Sequence, residues 1–137
     1  MAKESGMGMT ISVDDSSGAA QAIGNDIITA GITMPSGVQD ITGINSSGME
    51  RLLLLADLQL ELTGVFNDAA SMSHAVFKNY RTLPGAEVGR TTSIAHSAQT
   101  LADPLLYANY DLTHAQDGSL TWTTTGLGTD GGVPAWA

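Results

Sequence analysis

Met49 to Asp68, MERLLLLADLQLELTGVFND, is the stretch whose reading decides the fold. It holds the longest apolar run of the chain, Leu52 to Ala56, and then its cleanest alternation, in which Leu58, Leu60, Leu62 and Val65 are interleaved with Gln59, Glu61 and Thr63. Successive side chains leave a pleated strand on opposite sides, so the leucines share one face and the polar residues the other. The pattern predicts a half-buried β-strand with Leu58, Leu60 and Leu62 in the core. Ahead of it, Ser47-Gly-Met-Glu50 spells a capping box and predicts one helical turn over Met49 to Leu53. Behind it, Asn67-Asp68 ends the strand, and Asp68 is placed to cap a helix.

Working outward, most of the chain shows the same period of two. Met9, Ile11 and Val13 alternate with Thr10 and Ser12 up to the turn Asp14-Asp15-Ser-Ser-Gly18. Ile27 to Met34 places Ile28, Ala30, Ile32 and Met34 opposite Thr29, Gly31 and Thr33 until Pro35-Ser-Gly37 breaks it. Val38 to Ile44 is a weaker strand. Beyond the central strand, Met72, Ala75, Val76 and Tyr80 fall at helical spacing and predict one helix over about Ala69 to Tyr80. Lys78 and Arg81 complement its carboxyl end, and Pro84-Gly85 prevents its continuation. Thr91 to Ala98 reads as a polar strand. Leu106, Ala108, Tyr110 and Leu112 alternate through a longer one, and Ala115-Gln-Asp-Gly118 turns the chain into Ser119 to Thr125, which carries Leu120 and Trp122 on its apolar side. Met1 to Gly8 reads as a flexible arm, and the glycine-rich tail contains two apolar residues able to dock, Val133 and Trp136. The expectation is a single domain, 1–137, mainly antiparallel β as a sandwich or barrel, with one flanking helix.

Composition narrows the function. The chain has no cysteine, which excludes disulfide scaffolds, cysteine-ligated metals and thiol nucleophiles. Fourteen acidic residues against five basic ones give a net charge of −9, which opposes adhesion to phosphate backbones and anionic membranes. The amino terminus shows no apolar segment of the signal-peptide kind and no run is long enough to span a bilayer, so a soluble protein without a secretory signal is expected.

Reactive constellations are scarce. His74, His96 and His114 lie 22 and 18 residues apart, without the spacing of a zinc site, and read as ordinary surface or satisfied histidines. There is no G-x-S-x-G elbow. Gly126-Leu-Gly128-Thr-Asp-Gly131 spells G-x-G-x-x-G but opens no helix and belongs to no βαβ unit. Asp14, Asp15 and Asp26, or Asp111 and Asp117, could gather oxygen ligands for calcium, yet turn chemistry explains Asp14, Asp15 and Asp117 without a metal. No enzyme, cofactor or metal is expected. Trp122, Trp136 or Tyr107 could serve a carbohydrate-binding module as a stacking platform, although alternation with threonine makes Trp122 a core residue.

Several stretches together resemble the major tail tube proteins of long-tailed bacteriophages: Met9-Thr-Ile-Ser-Val-Asp-Asp15, Gly37-Val-Gln-Asp-Ile-Thr-Gly43, Met49 to Ala56 continuing to Gly64-Val-Phe-Asn-Asp68, and then Tyr110-Asp-Leu-Thr113, Gly118-Ser-Leu-Thr-Trp122 and Val133-Pro-Ala-Trp136. The resemblance implies a β-sandwich with a flanking helix whose copies join into hexameric rings, stacked head to tail into a tube through which the genome passes. It implies as partners further copies of the chain, a tape measure protein inside the tube, and tail terminator and distal tail or baseplate proteins. The place implied is the virion tail, assembled in the host cytoplasm. A ring-forming tube protein of a secretion system or gene transfer agent reads the same way. On this reading the candidate lumen-facing residues are Gln59, Glu61, Thr63, Asp111, Thr113, Thr121 and Thr123. The candidate core residues are Leu58, Leu60, Leu62, Tyr110, Leu112, Leu120 and Trp122, and the candidate inter-ring contacts are Met1, Lys3, Glu4 and Glu87. A bore of carboxylates and hydroxyls repels phosphates at short range, so DNA slides through it without binding.

The strand register generates a paired prediction. Leu60→Asp forces an unpaired charge into the apolar layer and abolishes folding. Glu61→Ala, one residue on and on the other face, leaves the denaturation midpoint almost unchanged; equal effects would mean a register shifted by one.

Overall fold

The computed structural model describes Ser5 and residues 7–83, 89–129 and 132–137. Ten strands carry the fold: β1 (Thr10–Asp14), β2 (Ala20–Ala22), β3 (Ile27–Thr33), β4 (Ser36–Asp40), β5 (Arg51–Ala56), β6 (Gln59–Val65), β7 (Arg90–His96), β8 (Gln99–Tyr107), β9 (Asp111–His114) and β10 (Leu120–Gly128). One short helix, α1 (Ser73–Phe77), stands between β6 and β7. Eight strands form one antiparallel sheet in the order β2-β1-β7-β8-β10-β6-β3, with β9 paired to β10, while β4 and β5 make a separate two-stranded ribbon.

The eight-stranded sheet is rolled. Along its order β1 and β3 are five steps apart, which at a spacing of ~4.8 Å would separate them by about 24 Å if the sheet were flat. Instead Ile11 of β1 and Met9 just ahead of it line the same cavity as Ile27 and Ala30 of β3. The bend falls at β10, whose far edge is divided: Leu120 to Thr123 pair with β9, and only Gly126 to Gly128 pair with β8. The roll encloses one apolar core to which Ile11, Val13, Leu58, Leu60, Leu62, Ile94, Leu101, Leu105, Tyr107 and Trp122 all contribute.

Trp122 sits at its centre. It is fully buried, its indole Nε1 donates to the Val65 carbonyl at 2.9 Å, and its ring lies over Gly64, its cross-strand partner on β6. A Cβ on Gly64 would stand 2.2 Å from the Asp26 carbonyl oxygen and 2.5 Å from the indole, so only glycine admits the ring there. Phe77 from α1 closes the cluster, 5.3 Å from Trp122 and 5.1 Å edge-on to Tyr107 between ring centroids. Such pairs each contribute about 0.5–1.5 kcal/mol beyond their burial. Burial pushes the Tyr107 phenol well above its ordinary value, and it shares a 2.5 Å hydrogen bond with Thr92 Oγ1.

The helix differs from the one expected over Ala69 to Tyr80. Asn67 Oδ1, and not Asp68, turns the chain by accepting from the Ala69 amide, and Ser71 takes a left-handed φ of 66°, so α1 begins only at Ser73. Its first amide is capped from a distance: Ser73 N donates to Asp26 Oδ2 at 3.1 Å, while Asn67 Nδ2 donates to the other carboxylate oxygen at 3.0 Å. Its other end is held by Arg90 on β7. The fully buried guanidinium donates to the Val76 and Asn79 carbonyls and, through Nε at 3.2 Å and Nη2 at 2.9 Å, to that of Thr82. Desolvation lowers the Arg90 pKa from its ordinary value, and the carbonyls that close the last turns offset that cost.

Other boundaries moved for local reasons. Met49 to Leu53 is not helical: Arg51–Ala56 is strand, and Ser46 Oγ, not a capping serine, donates to Glu50 at 3.3 Å. A bulge between Ile27 and Thr29 turns Ile28 outward, leaving Ile27, Ala30 and Ile32 on the core side. The long strand expected through Leu112 breaks after Tyr107, because Thr124 Oγ1 and Thr125 N take Asn109 as partner in place of a continuing ladder. Leu112 shares the face of Trp122 in register, yet it is 48 % exposed, since β9 projects past the edge of the core. Tyr110 and Leu120 are half-buried, and Leu58, Leu60, Leu62 and Trp122 are buried.

Gly64→Ala drives a methyl into both Trp122 and a backbone carbonyl, and overpacking of that kind costs about 1–3 kcal/mol or more. A urea titration that found Gly64→Ala as stable as the parent chain would contradict this packing.

Candidate assembly surfaces

The outer face of β3, β6, β10 and β9 is one continuous polar surface. Residues opposite one another in an antiparallel ladder point to the same side, and the registers align Thr33, Gln59 and Leu127; Gly31, Glu61 and Thr125; Thr29, Thr63, Thr123 and Asp111; and Val65, Thr121 and Thr113. All seven residues put forward as lumen-facing candidates lie together on it. The alternation of β3 and the last turn of β10 add Thr29, Thr33 and Thr125, which the sequence reading left out. Among these residues the charged side chains are both carboxylates, Glu61 and Asp111; no lysine or arginine is present. Asn109 Nδ2 donates to Asp111 Oδ2, fixing that carboxylate at the rim. The face ends in two strand edges, β3 on one side and β9 on the other, neither paired further among the described residues.

The β4–β5 ribbon is the second surface. It leaves the end of β3 and returns to the start of β6, and it buries almost nothing. Val38 and Leu53 are partners on one face; Leu52 and Leu54 lie on the other, with Leu54 packed against Gly37. Leu53 is 75 % and Leu55 90 % exposed, and Ile44 in the connecting loop is wholly exposed. Burying a leucine stabilises by about 1.5–3 kcal/mol, so an apolar ribbon with both faces in water is a contact surface awaiting a partner. The signal for it was in the sequence: across Leu52–Leu55 the period of two fails because neither face is polar. The loop is ordered by Asp40, whose Oδ1 accepts from the Thr42 amide at 2.9 Å; bonding to Thr42 lowers the Asp40 pKa from its ordinary value.

A third surface is an open groove of about 640 Å³ beside β8 and the end of β10, lined by Tyr80, Arg81, Leu83, Leu106, Ala108 and Leu127 among others. The expected inter-ring contacts Met1, Lys3, Glu4 and Glu87 lie outside the described residues.

Several of the residues weighed for chemistry make structural contacts. His74 Nδ1 bonds the Tyr110 hydroxyl at 3.1 Å and its ring packs on Phe66. His114 is exposed on β9 as expected, but His96 is neither a surface nor a satisfied histidine: both of its ring nitrogens are buried without a hydrogen-bond partner. Asp15 accepts from Ser17, Ala19 and Gln21, which together draw its pKa down to about 2, and Asp26 caps α1. No group of three or more histidines, aspartates or glutamates able to hold a metal occurs among the described residues. Trp122 and Tyr107, two of the three aromatics of the carbohydrate-binding alternative, are buried and present no platform. Among the described residues no helix is long and apolar enough to cross a membrane.

No protein-family model matches the chain, and no curated protein sequence matches it. Its fold is nevertheless shared with chains of solved assemblies. A chain from the tail of an empty gene transfer agent particle, refined with helical C6 symmetry, superposes with a TM-score of 0.75 at 18 % identity, over 98 % of this chain and 99 % of that one. A chain from the virion of a native gene transfer agent particle gives 0.71 at 17 %, with the same coverage. The fold, mainly antiparallel β with one short flanking helix as the resemblance implied, is thus one that these gene transfer agent chains share.

Because the ribbon lies outside the core, Leu53→Asp and Leu55→Asp leave the unfolding free energy of the dissociated chain within about 0.5 kcal/mol of the parent. Chemical denaturation at a concentration below assembly measures this, and a loss of several kcal/mol would place those leucines in the monomer core.

Proposed function

We propose that the chain is a non-catalytic structural subunit of a tail tube of a phage or phage-like particle, and that its whole length forms one tube domain. Copies close into six-membered rings, the rings stack head to tail, and DNA passes through the bore without being held. The observation that carries this reading is the polar face itself: four strands wide, furnished with hydroxyls and two carboxylates, free of cations, and bounded by an open edge on each side. An exposed edge is an aggregation hazard in a lone molecule, and joining β3 of one copy to β9 of the next removes it by main-chain pairing. With the sixfold symmetry of the gene transfer agent tail, four strands from each of six copies make a wall of 24. At a spacing of ~4.8 Å and a tilt of ~40°, such a wall is roughly 48 Å across at the backbone. That leaves room for a DNA duplex inside a lining of side chains. Gln59, Glu61, Thr63, Asp111, Thr113, Thr121 and Thr123 then face the bore, where carboxylates repel phosphates within a Debye length.

The remaining partners of this reading are a tape measure protein in the bore during assembly and terminator and distal tail or baseplate proteins at the two ends. They cap contacts that would otherwise propagate without limit. The finished subunit resides in the virion tail after assembly in the host cytoplasm.

Negative-stain microscopy of concentrated protein is expected to show rings or tubes, and a species that stays monomeric at every concentration and salt would overturn the proposal. Glu61→Lys and Asp111→Lys, which place rings of cations along the DNA path, are expected to spare tube formation while lowering DNA delivery per particle by about tenfold. Undiminished delivery would show that this face looks outward.

A further inference from the structure

The apolar ribbon and the apolar groove lie at the same end of the molecule but on opposite sides of it. Thr33 of β3 pairs with Gln59 of β6, Gln59 with Leu127 of β10, and Leu127 with Leu106 of β8. The ribbon springs from the β3–β6 side of that row, where β3 ends and β6 begins. The groove opens at its β8 side, around Leu106 and Leu127. Rotation about a ring axis brings the β3 side of one copy toward the β8–β9 side of the next; at a strand tilt of ~40° the row climbs roughly 9 Å between β3 and β8, within the ~20 Å length of a six-residue ribbon strand. The ribbon of each copy then meets the groove of its neighbour, in the same contact as the β3 and β9 edges.

We infer that the β4–β5 ribbon docks in the Tyr80–Leu83–Leu106–Leu127 groove of the adjacent copy within a ring. This inference rests on the reading of the chain as a ring-forming subunit. Both surfaces are apolar where they meet: Val38, Leu53 and Leu55 on the ribbon, Leu83, Leu106, Ala108 and Leu127 in the groove. Leu106 and Leu127 are 42 % and 38 % exposed in the lone chain. Charge selects the same pairing. Of the five basic residues, Arg90 is buried and Arg51 belongs to the ribbon, so among the described residues Lys78 and Arg81 are the exposed cations elsewhere. Arg81 lines the groove and Lys78 lies in the same turn. The ribbon and its loop carry Asp40 and Glu50 against Arg51, a net negative charge. On a chain of net charge −9, this is the place among the described residues where an approaching ribbon meets exposed cations of another copy. The contact is heterologous, joining two different surfaces, and closes because the rotation closes.

The chain lacks cysteine, so a disulfide can be introduced without background. Leu53→Cys combined with Leu106→Cys, assembled under reduction and then oxidised, is expected to give a non-reducing ladder that stops at six chains. A ladder running past six would place the ribbon between rings and overturn the inference. So would tubes that form but do not cross-link, including the case in which residues 84–88 of the same chain fill the groove, and so would a link within one chain only. Absence of rings and tubes from the unsubstituted protein is a separate outcome that removes the tube reading itself. Val38→Cys with Leu127→Cys gives an independent pair. Should both pairs block assembly, hydrogen exchange on unsubstituted tubes decides. Joint protection of 51–56, 80–83 and 105–108 relative to the dissociated chain supports the docking, and a ribbon exchanging as fast in tubes as in the free chain overturns it.

Discussion

Trp122 lies flat over Gly64, and the rest of the molecule depends on that fit. Because β6 carries no side chain at that point, the largest ring in the core can cross from β10 to β6 and reach the Val65 carbonyl. It fixes the register of β6 against β10, so every leucine of β6 is directed inward and every polar neighbour outward. A slip of one residue would exchange the two faces. The same contact presses the indole against Phe77 and so seats α1 on the sheet.

The short helix shows how little local sequence decides about such an element. Its five residues are too few to be stable alone, and both of its ends are satisfied from elsewhere: Asp26, 47 residues upstream of Ser73, supplies the first cap, and Arg90 gathers the last carbonyls. One of five cations in an acidic protein is thus committed to the interior. Among the described residues, what remains exposed outside the ribbon is a single basic turn, Lys78 and Arg81.

The two outer surfaces differ in character. The four-strand polar face carries no cation for a phosphate to grip, whereas the ribbon exposes leucines on both of its faces. Neither would be favoured in a solitary globule: one ends in bare strand edges, the other leaves leucines exposed. Their coexistence in one chain of 137 residues is intelligible when neighbours supply the missing pairing and burial.

By itself the sequence determined the β class, the inward leucines at 58, 60 and 62, the buried tryptophan and the seven residues of the polar face. It could do so because alternation is a local property that survives whatever the strand pairs with. The turn at Asp15 was equally legible, since its carboxylate bonds residues two and four positions on. Only the tertiary structure decided that the leucine run forms a ribbon away from the core, that Leu112 overhangs the core's edge, that Ile28 turns outward at a bulge, and that Asp26 and Arg90 hold α1. Each of these rests on a partner tens of residues away, or on the absence of one. Hydrophobic periodicity tells which residues share a face, but what covers that face is set by where the chain returns.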